Sequence, residues 1–392
     1  MLPLGLTAEA LAAAAAEPDP DSLAAATRMR RRFDPDLAAA ALTQVALRRR
    51  AAAKFGDRAG ALFFTRDGLE QATRPAVAAH HAGRFRSAGV GRVVDLGCGI
   101  GSDALAFAGA GLEVVAVERD ARTAEVARAN LAGRARVEQA DAERAVAARL
   151  ATAGPATGWF VDPSRRDASG RIWRTGDFSP GWEFVIGLLS ADRVVGVKLG
   201  PALPHAQIPA GVEAEWVTHA GTTVEVGLWS GPGAWPGARR ATALAGDPVV
   251  TASLLVQRPP PPLPVAPLGR YLYEPIGAVI RAGAIGLLGA QLGATLLEAK
   301  IAFLSAADYQ ATPFATAFEV LDSFGYAEAS LRRWIRAHRV GAVEIKVRGL
   351  DIDPAPLRRR LGPRGPESAT IVLTRTPAGA RVLHVTRIAA AR

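Results

Sequence analysis

The chain has 392 residues, 49% hydrophobic and 21% charged, which excludes an intrinsically disordered protein and leaves room for two or three domains. Its formal net charge of +10 is unevenly placed, because Arg270–Arg392 alone holds 17 basic and 10 acidic residues. A single cysteine, Cys98, excludes a disulfide framework and a cysteine-based metal site.

The basic balance suits a polyanionic partner such as RNA. It equally suits a GC-rich coding bias, since only four of the 47 basic residues are lysine and alanine is everywhere. From Thr7 to about Lys54 the pattern is helical, with "DPDS" and "DPDL" as helix starts. The opening "MLPLGLTAEALAAAAAEPDPD" lacks a basic segment ahead of its apolar stretch, so no signal peptide is expected. The most apolar later run, "AGAIGLLGAQLGATLLEAK", is interrupted by glycines and too short to span a bilayer. The expectation is a cytoplasmic protein with no membrane partner.

Residues 1–62 therefore read as an N-terminal helical region. Across residues 63–257, the runs "RVVDL", "EVVAVE", "ARVEQAD", "GWFVD" and "RVVGVKLG" alternate with helical or loop spacers. That is the βαβ rhythm of a parallel sheet covered on both faces, an α/β fold. "VEAEWVTHAGTTVEVGLWSG" reads as two strands around "HAGT", a hairpin able to close the sheet edge antiparallel. Residues 258–269, "RPPPPLPVAPLG", read as a semi-rigid polyproline linker and the domain boundary. Residues 270–392 read as a helical section, Glu274 to about His338, followed by a small α/β unit.

The most informative segment is "VVDLGCGIGSDALAFAGAGLEVVAVERD". A buried strand reaches Asp95; Gly97, Gly99 and Gly101 follow, and a helix begins near Ser102. Glycines are needed where backbone turns sharply and a ligand approaches without a Cβ in its way. Position 102 is serine and the third glycine comes one residue early for a dinucleotide fingerprint, and no G-K-[ST] follows, so this is no phosphate loop. Asp95, two residues before the first glycine, suits a ligand bearing an ammonium group. Glu118, at the end of the next strand, stands where a carboxylate can accept hydrogen bonds from ribose hydroxyls.

This pattern resembles motif I of class I S-adenosylmethionine-dependent methyltransferases. The resemblance implies a Rossmann-like sheet over residues 63–257 and S-adenosylmethionine as cofactor. It implies that Asp95, Gly97, Gly99 and Gly101 cradle the methionine part, that Glu118 holds the ribose, and that Asp141 in "EQADAE" contacts the adenine amino group. Cys98 reads as packing filler. C5 methylation of pyrimidines uses a thiolate, and the chain has no second cysteine for it.

In that fold the end of the fourth strand, here "GWFVDPS", faces the sulfonium methyl. Relatives that methylate base amino groups carry Asn/Asp/Ser-Pro-Pro and then an aromatic. Asp162 and Pro163 fit as the catalytic pair; Ser164 and Arg165 replace the second proline and the aromatic. Trp159, Phe160, Trp173 and Phe178 are candidates for the missing stacking face. Arg165 and Arg166 are candidates to grip substrate phosphates, or to pair with Asp167 or Asp177. Lys198 ends the fifth strand on the same side, with its role open.

"FFTRDGLEQATRPAVAAHHAGRF", "VDPSRRD", "RYLYEPIGAVIRAG", "TPFATAFEVL" and "VEIKVRGLDIDPAPLRRRLG" further resemble a bacterial methyltransferase family with a C-terminal THUMP-like domain. The first of these and "DLGCGIGSDAL" are also similar to trimethylguanosine synthase and other guanine-N2 RNA methyltransferases, with Asp103 where those enzymes tend to have Asn. The resemblance implies an RNA substrate, tRNA included, methylated on a base nitrogen. Lys346, Arg348, Arg358 and Arg359, with Arg360, are the candidate phosphate contacts, or simply a solvated face. Histidine spacing, His80-His81 included, shows no metal-ligand pattern, and no metal is expected. Two alternatives stay open: a methyltransferase for a small anionic molecule or a protein, and a non-catalytic scaffold that binds cofactor and RNA.

Overall fold

A computed structural model of the chain describes residues 2–165, 178–245 and 249–389. It divides into two units, Met1–Ala214 with Glu225–Gly237, and Glu215–Val224 with Ala238–Arg392. The division falls upstream of residues 258–269, the boundary expected from the sequence.

In the first unit, α1 (Ala8–Ala15), α2 (Leu23–Arg30) and α3 (Pro35–Phe55) open on Thr7, Ser22 and Asp34. Each of these side chains accepts from a peptide N–H of the first turn and so satisfies a donor the helix leaves unpaired. The helices share a core with Phe64 and Leu69 of the following segment and with Ile100 and Val126 further on. The helical region and the sheet domain are thus packed as one body, not as two. A 3-10 turn (Gly56–Ala61) leads to α4 (Arg66–Gln71) and α5 (Pro75–Ser87).

The sheet domain follows as β1 (Arg92–Leu96), α6 (Ser102–Gly109), β2 (Glu113–Glu118), α7 (Ala121–Leu131), β3 (Arg136–Gln139), α8 (Ala142–Ala147) and β4 (Thr157–Val161). After it come the short β5 (Ser164–Arg165) and β6 (Phe178–Ser179), paired antiparallel, then α9 (Trp182–Leu188) and β7 (Val194–Leu199). β8 (Glu213–His219) and β9 (Thr222–Ser230) complete the expected hairpin. Its turn residues Ala220 and Gly221 both have positive φ, 49° and 76°, as tight hairpin turns require.

Pairing runs β3-β2-β1-β4-β7, all parallel, with β9 added antiparallel to β7. Strand order therefore reverses between β1 and β4, and in such sheets ligands bind outside the carboxyl ends of the strands at that reversal. Phe85, Phe107, Phe160 and Trp229 pack beneath it, with Phe107 and Phe160 ring centroids 5.3 Å apart. Trp159 and Phe160, weighed above as stacking faces for a base, are each only 1% exposed, and Phe160 belongs to this core.

The second unit contains the hairpin of β10 (Arg239–Ala245) and β11 (Val250–Val256). Beyond it stand β12 (Tyr271–Pro275), α10 (Gly277–Ala282), α11 (Ile285–Leu292), β13 (Thr295–Glu298), β14 (Ile301–Ala306) and β15 (Ala315–Gly325). α12 (Glu328–Ala337), β16 (Val340–Arg348), α13 (Pro354–Leu361), β17 (Glu367–Thr376) and β18 (Gly379–Arg387) end the chain's regular structure. The seven strands β13-β14-β12-β15-β18-β17-β16 form one sheet, parallel only between β16 and β17. Leu331, Trp334 and Ile335 recur at helical spacing on α12 and pack with Leu357 and Leu361 of α13 over Val343, Ile371 and Leu373.

Two expectations change here. The section from Glu274 to His338 is not mainly helical: β13, β14 and β15 fall inside it. Its abundant alanine and leucine favour helix locally, but the alternation in "ATAFEVLDSFG" pairs with β12 and β18, and tertiary pairing wins. The proline-rich stretch is extended, as expected, yet it is no free linker. Ala266 N–H donates to Leu296 O and Leu296 N–H to Pro264 O. A Cβ added to Gly289 would strike Leu263 at 2.2 Å, so the stretch lies directly on α11.

Candidate active site

The loop after β1 is built by glycines that a side chain would not replace. Gly97, Gly99 and Gly101 hold φ of 82°, 55° and 89°, in the left-handed region. A Cβ on Gly97 would come within 3.0 Å of the Asp162 carbonyl, so this loop and the end of β4 touch; one on Gly99 would meet nothing within 4 Å. The loop is thus pinned on one side and open on the other. Asn130 of α7 fixes it from behind, donating to Ile100 O and Phe63 O, both at 2.9 Å.

Asp95 ends up 1% exposed, and neither carboxylate oxygen has a hydrogen-bond partner among the described residues. Burial, then the neighbouring Asp103 and Asp162, pushes its pKa well up. An orphaned buried carboxylate is costly, and a bound cation would relieve it. Glu118 accepts from the Gly99 N–H at 3.0 Å and from the Asp120 N–H at 2.8 Å, which ties the loop to the end of β2. Asp141 caps α8 through the Glu143 N–H at 3.0 Å. Cys98 is buried in the aromatic core, and burial pushes its thiol pKa well up, as suits filler and not a nucleophile.

On the β4 side a chain of buried polar groups begins at Asp162, which forms an ion pair with Lys198 of β7. Lys198 Nζ donates to Thr73 Oγ1 at 2.8 Å, and Thr73 in turn donates to Asp103 Oδ2 at 2.5 Å. Asp103 Oδ1 lies 2.8 Å from His81 Nδ1, and His81 Nε2 lies 2.6 Å from Glu225 Oε1. Burial alone would lower His81, but Glu225 and Asp103 on its two nitrogens raise it to about 10, so the ring is an imidazolium at neutral pH. Lys198 is likewise held protonated, its desolvation outweighed by Asp162, Asp103 and Glu225. Burial raises the Asp162 pKa, against the opposing pull of Lys198.

The charge count is informative. Among the described residues Asp95, Asp103, Asp162 and Glu225 face two cations of the same network, His81 and Lys198, and burial pushes Asp95 and Asp162 toward their neutral forms. The pocket is short of positive charge, and the shortfall centres on Asp95, whose oxygens are unpaired. S-adenosylmethionine, with its ammonium and sulfonium, fits that deficit. Asp162 keeps 30% of its side chain accessible, so it can meet an incoming group.

Thr73, His81 and Glu225 were missed as site residues, and Lys198 was left without a role. The signal lay in the sequence, since "TTVEVGL" places a glutamate inside a β-branched strand, where a buried acid demands a partner. Of the proposed substrate contacts, Arg166 lies outside the described residues, as do Asp167, Trp173 and Asp177; Arg165 falls on β5 and its side chain is not described. Phe178 is buried against Trp182, ring centroids 6.0 Å apart. In the second unit Lys346 donates to Glu274 at 2.8 Å, and Arg348 donates to Ala302 O at 3.1 Å. Arg360 bonds Glu328, while Arg358 and Arg359 stand exposed on α13.

A sheet that reverses order between β1 and β4, with a glycine loop folded beside an unpaired acid, is how class I S-adenosylmethionine-dependent methyltransferases hold their cofactor, and this protein is of that class. Over 349 residues it is 34% identical to an uncharacterized S-adenosylmethionine-dependent methyltransferase of Mycobacterium tuberculosis, found alike in strains H37Rv and CDC 1551; the match covers 87% of this chain and 93% of the relative. The chain belongs to that family. Residues 315–387 match a THUMP domain-like model and residues 8–51 a domain of unknown function. A provisionally named methyltransferase from Porphyromonas gingivalis W83 shares the fold from end to end, with TM-score 0.78 and 22% identity over 99% of this chain and 100% of that one.

Proposed function

We propose that this methyltransferase acts on RNA, tRNA included, and methylates a base nitrogen by direct in-line transfer. The observation that carries the reading is Asp162: it follows β4 at the strand reversal, stands against the glycine loop, and keeps an accessible carboxylate while Lys198 holds Oδ2. A carboxylate with one oxygen committed and one free accepts a hydrogen bond from an N–H donor and so favours an amino or ring nitrogen as acceptor. When bound, S-adenosylmethionine supplies a methyl group on a sulfonium that is already a good leaving group. The chain's task is then orientation. Asp95 takes the cofactor's ammonium, Gly97, Gly99 and Gly101 admit its methionine part, and Glu118 and Asp141 take ribose and adenine. Asp162 and the Pro163 carbonyl align the nitrogen lone pair with the methyl by accepting hydrogen bonds, and the Asp162 carboxylate takes up the proton that the nitrogen gives up. The THUMP domain-like match over residues 315–387 supports RNA as the acceptor, and Arg358 and Arg359 remain exposed for phosphate contact. A cytoplasmic location accords with an RNA substrate.

The test is transfer of tritiated methyl from S-adenosylmethionine to total RNA from a strain lacking the gene, with Asp162→Ala as control. Label enters RNA with the wild-type protein, and the variant lowers the rate by about 10²–10³-fold, the range for losing one orienting group of a reaction centre. S-adenosylhomocysteine affinity is retained in the variant. Label that enters protein or a small molecule instead of RNA replaces this reading with a different acceptor. Cofactor binding with no transfer to any of the three leaves a non-catalytic scaffold.

A further inference from the structure

The last torsion of an aspartate is broad and roughly two-fold, so nothing in Asp162 itself decides how its carboxylate plane lies. Its neighbours decide it. Lys198 Nζ donates to Asp162 Oδ2 and, at 2.8 Å, to Thr73 Oγ1. An ammonium only donates, so Thr73 receives that bond on a lone pair and its single proton is turned away from Lys198. That proton goes to Asp103 Oδ2, at 2.5 Å. Asp103 accepts again on Oδ1, from His81 Nδ1 at 2.8 Å, and His81 Nε2 donates to Glu225 Oε1 at 2.6 Å. With both ring nitrogens of His81 carrying protons, every bond in the chain has one direction.

A lysine has four side-chain torsions of its own and cannot hold an aspartate still unless it is itself held. Thr73 supplies that hold, and its hydroxyl is fixed in turn by Asp103. The anchor is deep: Thr73 and Asp103 are each 6% exposed, His81 1% and Glu225 4%. Side chains from the connection before α5, from α5 and α6, and from β7 and β9 thus converge on one oxygen of one carboxylate. The chain does not serve as a proton path. Its last member is buried Glu225, and His81 has no vacant nitrogen, whereas Asp162 keeps 30% of its side chain accessible and can shed a proton directly.

We propose that Lys198 and Thr73 are positioning residues for methyl transfer. Lys198 fixes the plane of the Asp162 carboxylate, Thr73 fixes Lys198, and Asp103, with His81 and Glu225 behind it, fixes Thr73. This rests on the reading of Asp162 as the group that orients the acceptor. Lys198 has an electrostatic effect as well. Burial raises the Asp162 pKa, Lys198 opposes it, and Asp103 and Glu225 add to the rise. Asp95, at the end of β1, also faces Asp162.

The experiment follows methyl transfer to total RNA from a strain lacking the gene. Single-turnover rate, apparent KM for RNA and S-adenosylhomocysteine affinity are read for each full-length variant. Lys198→Met is expected to lower the rate about 10²-fold, the scale for misplacing a reacting group by about 1 Å. Thr73→Val lowers it about 10-fold, the scale of one lost charge-assisted hydrogen bond, and Thr73→Ser, which keeps the hydroxyl, restores it. KM for RNA and S-adenosylhomocysteine affinity stay at their wild-type values. In an Asp162→Ala background neither Lys198→Met nor Thr73→Val lowers the rate further, since no carboxylate is left to place. Lys198→Met also moves the acid limb of the rate to higher pH, because ionised Asp162 takes up the proton and has lost its cationic neighbour.

Full-size losses in the Asp162→Ala background, or losses carried by KM or by S-adenosylhomocysteine affinity, mean that the two residues only support the fold, and they overturn the proposal. An unchanged rate or an unmoved acid limb overturns it too. If Lys198→Met does not fold, Thr73→Val against Thr73→Ser decides by the same rate, KM and background readings. Label that enters protein or a small molecule ends the RNA reading alone, and the same variants are then read on that acceptor. Transfer to none of the three ends both.

Discussion

In the first unit Asp95, Asp103, His81, Lys198 and Glu225 are sunk among Phe160 and Trp229, whereas the seven-stranded sheet of the second unit buries Leu331, Ile335, Ile371 and Leu373 and keeps its ion pairs near solvent. Both regions are well packed, so the difference does not arise from packing. It arises from what each core has to offer a ligand. Buried ions cost several kcal/mol each, and neighbours recover that only with good geometry. A fold selected for stability alone would fill the same volume with leucine. The polar chain from Asp162 to Glu225 is therefore best understood as machinery that the rest of the first unit supports.

The comparison breaks most sharply at His81. Its ring bonds Asp103 on one nitrogen and Glu225 on the other, with side-chain exposures of 2%, 8% and 5%. His81→Leu fits the aromatic surroundings in size but leaves two buried carboxylates unneutralised. We expect a loss of about 3–5 kcal/mol in chemical denaturation, the cost of breaking a buried pair from one side. The effect carries its own pH signature. The ring's pKa is raised from 6.5 to about 10 on folding, so its contribution is complete below pH 6.5 and is lost as pH rises through about 10. The stability gap between wild type and His81→Leu accordingly closes at the alkaline end. A gap that stays constant to pH 11 would mean that the ring packs there as a neutral group.

Asp95 sharpens the comparison by giving effects of opposite sign. With both oxygens unpaired, its charge is a burden on the ligand-free fold. Asp95→Asn cannot ionise but leaves a buried polar group in place, so we expect the ligand-free protein to gain about 1 kcal/mol, a gain that grows as pH rises from the ordinary carboxylate range toward the raised pKa of Asp95. The same substitution takes away the proposed partner of the cofactor's ammonium, and we expect S-adenosylhomocysteine binding to weaken by about 10–100-fold. Thermal unfolding with and without ligand reads both at once. If Asp95→Asn destabilises the ligand-free protein, Asp95 is structural and the charge deficit lies elsewhere.

Where the sequence was legible, one local pattern sufficed. The glycine run after "VVDL", the caps at Ser22 and Asp34, and the hairpin turn at Ala220-Gly221 each depend on neighbours in the chain, so their residues announce them. The site was half legible for the same reason. Asp95, Glu118 and Asp162 sit at strand ends that the βαβ rhythm already marks. Thr73 comes from the connection before α5, His81 from α5, Lys198 from β7 and Glu225 from β9, and no spacing in the chain records that they meet. β14 and β15 were misread because their alanine and leucine favour helix, while β12 and β18, which pair with them, lie far away in sequence.

The smallest effect is expected in the second unit, and it tests whether burial is what separates the two regions. Lys346 donates to Glu274 at 2.8 Å and sits 5.8 Å above the Phe318 ring, a geometry as good as that of the buried network. Both partners, however, keep 22% of their side chains in contact with water. Solvent and salt screen such a pair, and its two long side chains lose freedom to form it, so its net worth is about 0.2–1 kcal/mol. A double-mutant cycle with Lys346→Met and Glu274→Gln measures the coupling directly, and it should shrink further in high salt. A coupling of several kcal/mol, insensitive to salt, would place this pair with His81, and accessibility would then no longer explain why one network is costly to break and the other is not.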